Sequence, residues 1–367
     1  MNRINVTRSS MPDFGEYVEA IRPLWDSRWL SNRGSISVAF EDELKKYLGV
    51  KRIALFANGH VALEVMIDAF NLPEGGEVIT TPYTHVSTTH SIVRNGLSPV
   101  FCDVNERNYT IDPELIEELI TDKTVAIMGT HVYGELCDVK SIHEIAVKHG
   151  LKVFYDAAHA FGESLNGVGV GCYGDFSMFS CHATKVFHTI EGGIAAFIDE
   201  ELSSSIESLT NFGFDGPERV QFVSTNARMN EFEAAMGSCN LKHIDEEIEK
   251  RAAVEKRYRD NLEGISGIRF INPQEGIRYN HSYMPVFFDG YKENRNQVQL
   301  KLVNENIFAR KYFYPLTSEM ECYEGKYSKT VERTPIAKWC AEHVLTLPMY
   351  ADLTFEDVDR ICEIILR

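Results

Sequence analysis

A chain of 367 residues, 44% hydrophobic and 25% charged, has the composition of a folded globular protein of about two domains and excludes disorder, collagen-like repeats and coiled coil. Its 37 Lys and Arg against 54 Asp and Glu leave a net charge of −17, which argues against nucleic acid and anionic membrane surfaces as partners. Any phosphate bound here must be held locally, by backbone amides and a few placed donors.

The N-terminal stretch MNRINVTRSSMPDF lacks the apolar run of a signal peptide, and no stretch has the roughly eighteen apolar residues of a membrane span. A cytoplasmic location is expected, and the dispersed cysteines, without a C-x-x-C pair, read as reduced thiols. Short apolar runs then alternate with segments of helical period, the pattern of a mostly parallel sheet covered by helices. Strands are predicted at Arg52–Phe56, Glu77–Thr80, Pro99–Val104, Val125–Gly129, Leu151–Asp156, Asp175–Phe179 and Gly193–Ile198. Helices are predicted at His60–Phe70, Pro113–Thr121 and Ser141–His149. The long charged amphipathic stretch Glu231–Asn261 precedes short strands near Ile268–Ile271 and Tyr283–Phe288 and a last helix from Phe355. This divides the chain into a large domain, 1–245, and a smaller α+β domain, 246–367, with the boundary inside one continuous helix.

Gly169, Gly171 and Gly174 satisfy G-x-G-x-x-G, but that dinucleotide fingerprint needs a strand before it and a helix after it. Here the glycines follow a polar turn and lead into strand-like residues, so they read as a glycine-rich connection. The informative segment runs from Tyr155 to Gly193. Asp156 ends an apolar strand, where ligands bind in α/β sheets, although alone it could equally cap a helix. Lys185, in Phe179-Ser-Cys-His-Ala-Thr-Lys-Val-Phe-His-Thr-Ile-Glu-Gly-Gly193, is flanked by apolar and small residues. A lysine enclosed in this way is suited to forming a Schiff base.

These residues resemble the DegT/StrS family of pyridoxal-phosphate-dependent sugar-nucleotide aminotransferases, from Trp29-Leu-Ser-Asn32 to the last helix, most specifically between Asp156 and Lys185. The resemblance implies the aspartate-aminotransferase fold (fold type I): a mostly parallel, mixed seven-stranded sheet with a smaller C-terminal domain. It implies pyridoxal 5′-phosphate as cofactor, with pyridoxamine 5′-phosphate as its aminated form. Within the family, the likeness points to members that aminate dTDP-4-keto-6-deoxyglucose at C4, the viosamine-forming transaminases, with L-glutamate as donor.

By the same resemblance, Lys185 would anchor the cofactor and shuttle the reaction's proton, and Asp156 would pair with the pyridine nitrogen. His159 would donate to the ring's 3-oxygen, and His85 stands where relatives place a stacking aromatic. The Asn58-Gly59-His60 turn, joining strand to helix, would meet the phosphate with its amides. Ser180 would add a hydroxyl, and Asn226 would reach the phosphate of the neighbouring subunit, which makes the protein a homodimer with shared sites. Trp29, His188, Tyr312 and Tyr314 are candidates for the substrate, though aromatics at such spacings are more often core. No metal is expected.

Two other readings stand beside this one: a 3-aminotransferase acting on a dTDP-3-keto-6-deoxyhexose, and a non-catalytic cofactor-binding sensor. The sensor need not keep a substrate loop such as Ala309–Leu316. A deoxygenating dehydratase of the same family would carry histidine in place of Lys185.

Overall fold

The computed structural model describes residues 3–323, 325–326 and 333–367. All seven predicted strands form, and they build a single sheet in the order Ile53–Phe56, Gly193–Phe197, Phe176–Ser180, Lys152–Asp156, Thr124–Thr130, Glu77–Thr80, Ser98–Phe101. Only Gly193–Phe197 runs antiparallel, against Ile53–Phe56 on one side and Phe176–Ser180 on the other. The remaining pairings are parallel. The sheet is mixed and mostly parallel, as expected.

Central strands such as Phe176–Ser180 and Gly193–Phe197 are apolar on both faces because helices cover both. One layer packs Phe56, Met66, Met128, Phe154 and Phe176 beneath the helix Gly59–Ala69. The opposite layer packs Phe40, Leu44, Phe161, Phe179 and Phe187 beneath the helix Ser35–Leu48. A second core gathers Val254, Tyr258, Leu262, Val286, Leu302 and Ile361 around the three-stranded sheet Ile268–Arg269, Met284–Phe288, Val344–Leu347.

The continuous helix expected over Glu231–Asn261 is corrected by the structure to two, Glu231–Leu241 and Ile244–Leu262. At the break, Lys242 and His243 amides bond to the carbonyls three residues back, Cys239 and Asn240, a tighter turn that redirects the chain. The second helix then contributes Ile244 and Ile248 to the large core and Val254, Tyr258 and Leu262 to the small one. Pro113–Thr121 is also shorter as α-helix than expected, running Pro113–Ile116 and ending in a 3₁₀ turn, Glu117–Leu119.

At the N-terminus, Ile4–Asn5 pairs in parallel with Ile307–Phe308, so these residues join the C-terminal half rather than the large sheet. The three glycines do form a connection: Val168–Gly169 is a two-residue strand, Val170–Cys172 a 3₁₀ turn, and Gly174 takes the left-handed φ of 72°. No helix among the described residues is long and apolar enough to cross a membrane.

Candidate active site

The parallel strands end at one edge of the sheet, and their C-terminal residues open onto a cavity of about 410 Å³. Its polar lining includes Asn58, His85, Asp156, His159, Ser180, Lys185 and Tyr283, and its apolar wall includes Ala158, Met178 and Phe313. Each side chain is delivered by an element whose local sequence explains its place.

Asp156 is the last residue of the strand Lys152–Asp156 and is 3% exposed. Its Oδ1 accepts from the Ala158 amide at 3.1 Å and its Oδ2 from the Thr88 hydroxyl at 2.6 Å. Thr88 in turn lies 2.8 Å from the Thr84 hydroxyl, which accepts from Thr130 at 3.1 Å. Three threonines, from the helix Val86–Arg94, the turn before it and the strand Thr124–Thr130, thus fix the carboxylate's rotation.

His159 is buried, and burial holds it neutral, well below the usual imidazole range, with the nearby Lys185 acting in the same direction. The Tyr133 amide donates to its Nδ1 at 2.9 Å, so the proton of the neutral ring sits on Nε2. The ring is stacked on Phe313, with centroids 5.8 Å apart and planes 7° apart.

Lys185 occupies the connection between the antiparallel strands Phe176–Ser180 and Gly193–Phe197. The Cys181 amide donates to Gly192 O and the Thr189 amide to Cys181 O, closing that loop at its base. The lysine is half-buried rather than fully enclosed. Its Nζ donates to the Tyr283 hydroxyl at 3.3 Å.

On the opposite side, Asn58 N-caps the helix Gly59–Ala69 by accepting from the Val61 amide at 2.9 Å. A Cβ on Gly59 would lie 3.1 Å from Met178 Sδ and 3.2 Å from Ser180 Cβ. A Cβ on Gly193 would press on the Asn58 carbonyl at 2.6 Å. The two glycines let the helix N-terminus approach Ser180 closely, and Asn58, Gly59, His60 and Ser180 line the cavity together, a setting in which helix amides can hold an anion.

Pyridoxal phosphate fits this residue set. The glycine cradle would take its phosphate, the anchored Asp156 carboxylate would pair with its ring nitrogen, and the Nε2–H of His159 would donate to its 3-oxygen. Lys185 supplies the amine. His85, expected as the stacking residue, N-caps the helix Val86–Arg94 and lines the cavity. His60 lines it as well, with Nε2 3.1 Å from the Glu64 carboxylate.

Of the remaining expected residues, Tyr312 reaches the cavity and Trp29, His188, Asn226 and Tyr314 do not. His188 is 2% exposed and points away: its Nε2 donates to Ser10 O at 2.5 Å, and Asn240 Nδ2 donates to its carbonyl at 2.9 Å. It packs the N-terminal segment against the lysine loop. Tyr314 lies beneath the Arg295 guanidinium, 4.7 Å from the ring centroid. Trp29 is 58% exposed. Asn226 Oδ1 accepts from the Arg228 guanidinium at 3.1 Å, outside this chain's own cavity.

Thr88, Thr130, Glu191, Phe313 and Tyr283 are cavity or supporting residues that sequence reasoning missed. The only available signal was the four-residue spacing of Thr84 and Thr88 in Thr84-His-Val-Ser-Thr88, which sets the first on the turn before the helix and the second in its first turn, within 2.8 Å of each other.

Comparison with known proteins agrees with this geometry. A curated Escherichia coli relative, dTDP-4-amino-4,6-dideoxy-D-glucose transaminase, is 40% identical over 365 residues, 99% of this chain and 98% of its own. A Shigella dysenteriae protein of the same name is 38% identical, covering 98% of this chain and 97% of its own. The crystal structure of DesI in the presence of its TDP-sugar product superimposes with a TM-score of 0.93 at 31% identity, covering 100% of this chain and 92% of that one. The profile of the DegT/DnrJ/EryC1/StrS aminotransferase family matches residues 14–366, and the chain belongs to that family.

Proposed function

We propose that this pyridoxal-phosphate-dependent aminotransferase moves the amino group of L-glutamate to C4 of dTDP-4-keto-6-deoxy-D-glucose. The products are dTDP-4-amino-4,6-dideoxy-D-glucose and 2-oxoglutarate. The observation that carries this reading is the identity of 40% over almost the full length to a transaminase of that product, in a chain that keeps the lysine, carboxylate and cradle together.

When bound, the cofactor supplies an electron sink and a carrier for the amino group. The protein's own residues do the rest. Asp156, its rotation fixed by Thr88 and the Ala158 amide, holds positive charge at the ring nitrogen. His159 donates through Nε2–H and, being neutral, adds no competing charge. Lys185 Nζ takes a proton from the donor's nitrogen-bearing carbon, and in the second half of the cycle it delivers one to the sugar carbon that becomes the amine. The cavity wall of Ala158, Met178 and Phe313 limits water around that proton.

Amination at C4 and at C3 needs the same chemistry and differs only in how the hexose is turned. The product distinguishes them. Purified protein given glutamate and dTDP-4-keto-6-deoxyglucose is expected to yield a 4-amino sugar by NMR. An amine on C3, or turnover of 3-keto isomers alone, would reject the C4 assignment and leave the transaminase intact.

We further propose a homodimer in which Asn226 of each protomer completes the phosphate site of the other. The position of Asn226 outside its own cavity supports this, as do Trp29, Leu30, Val220 and Val223, which expose apolar surface at 58%, 47%, 59% and 101%. The domain division is taken at residue 245, just after the helix break at Lys242 and His243.

A further inference from the structure

The side chain that touches Lys185 comes from the segment joining the two cores. Tyr283 immediately precedes the small-domain strand Met284–Phe288, yet its hydroxyl accepts from Lys185 Nζ at 3.3 Å and its ring centroid is 5.7 Å from the same nitrogen. Among the described residues the hydroxyl has no other hydrogen-bond partner.

The ring itself cannot wander. It packs against His159 at 4.6 Å between centroids, and edge-on to Tyr312 at 5.9 Å and Tyr133 at 6.2 Å. The backbone before it is clamped to the loop that carries His159: Ser282 Oγ donates to His159 O at 2.5 Å, and Asn280 Nδ2 donates to His159 O at 2.8 Å and to Phe161 O at 3.0 Å. Aromatic packing and clamped backbone together leave the hydroxyl at a fixed point beside the reacting amine. A phenyl ring would fill the same space, so packing alone does not call for the oxygen.

We propose that Tyr283 is the positioning residue of the catalytic lysine: its hydroxyl accepts one N–H of the free amine and so turns the Nζ lone pair toward the substrate carbon. In the step it serves, the donor's C–H bond breaks, the electron pair stays with the donor's conjugated framework, and the proton goes to Nζ. The ammonium then donates to the same hydroxyl beside the ring, and returns to the free amine when the proton is passed on. Tyr283 keeps its own proton throughout. The inference rests on Lys185 being the base.

The test is Tyr283→Phe in the holoenzyme, with L-glutamate deuterated at Cα as the probe. The melting temperature and the apoprotein's affinity for pyridoxal phosphate are expected to stay at wild-type values. The rate of the glutamate half-reaction should fall about 10- to 100-fold, the range for a lost hydrogen bond to a charged group. The glutamate KM should change little, and the deuterium isotope effect should rise because proton transfer becomes slower than the other steps. A rate and isotope effect equal to wild type would overturn the proposal, as would a rate loss accompanied by an equal loss of cofactor affinity. If borohydride reduction labelled a lysine other than Lys185, the base assignment itself would fall. A wild-type enzyme unreactive toward glutamate would reject that donor, and the same comparison with the product sugar deuterated at its amine-bearing carbon would then decide Tyr283.

Discussion

Lys185 sits in a hairpin connection, between two strands that hold the loop closed from its base. Because the residues proposed to hold the cofactor's phosphate and ring are others, anchoring and holding are expected to be separable. Borohydride reduction of the holoenzyme is expected to fix the cofactor to Lys185, read by peptide mapping, whereas Lys185→Ala should bind pyridoxal phosphate without turnover. A label on another lysine would sink the assignment. This residue was legible in the sequence, as was Asp156, because each announces itself locally: a charge among apolar neighbours, and a carboxylate closing an apolar strand. Thr88 and Tyr283 do not. They reach Asp156 and Lys185 across 68 and 98 residues of chain, and their own surroundings look like any helix start or strand edge. His188 shows the converse error. The resemblance made it a substrate candidate, but the loop turns it toward Ser10.

Elements explain why the phosphate position is where it is. The helix Gly59–Ala69 begins against Ser180 only because residue 59 lacks a Cβ. Gly59→Ala should therefore weaken pyridoxal phosphate binding about tenfold, near 1.4 kcal/mol, as measured by fluorescence titration of the apoprotein. Its melting temperature should hardly move, since alanine favours helix and offsets the crowding. Unchanged affinity would place the anion elsewhere. The seven main strands were readable because burial on both faces writes them as apolar runs. The paired two-residue strands Ser164–Leu165, Val168–Gly169 and Ile277–Arg278 were not, since two residues carry no period. The break after Leu241 was hidden for a related reason. Helical period continues through Lys242 and His243, and only the demands of two separate cores require the turn there.

At the scale of the whole molecule, the proposed dimer, in which Asn226 of one copy completes the site of the other, predicts that mixing repairs a defect. Lys185→Ala and an inactivating change at Asn226 are each expected to be inactive alone. After subunit exchange, activity should return to at most one site per mixed dimer, read by turnover once mixed dimers are shown by native mass spectrometry. No recovery would count against shared sites. The proposed symmetry is invisible in composition and rests on the family likeness, because a residue that would serve a partner looks idle in its own chain. The N-terminal segment has a different consequence, one of timing. Ile4 pairs with Ile307, the Val6 carbonyl accepts from Met349, and Ser9 then donates to Ala183 in the lysine loop at 2.6 Å. Residues 4–6 thus find their partners about three hundred positions further along, a closure whose entropic cost grows with the length of chain between them. The large sheet can therefore assemble with its lysine loop still untethered on one side. Seating of that loop is thereby coupled to formation of the second core, because the segment that tethers Ala183 is itself held by residues around 307 and 349.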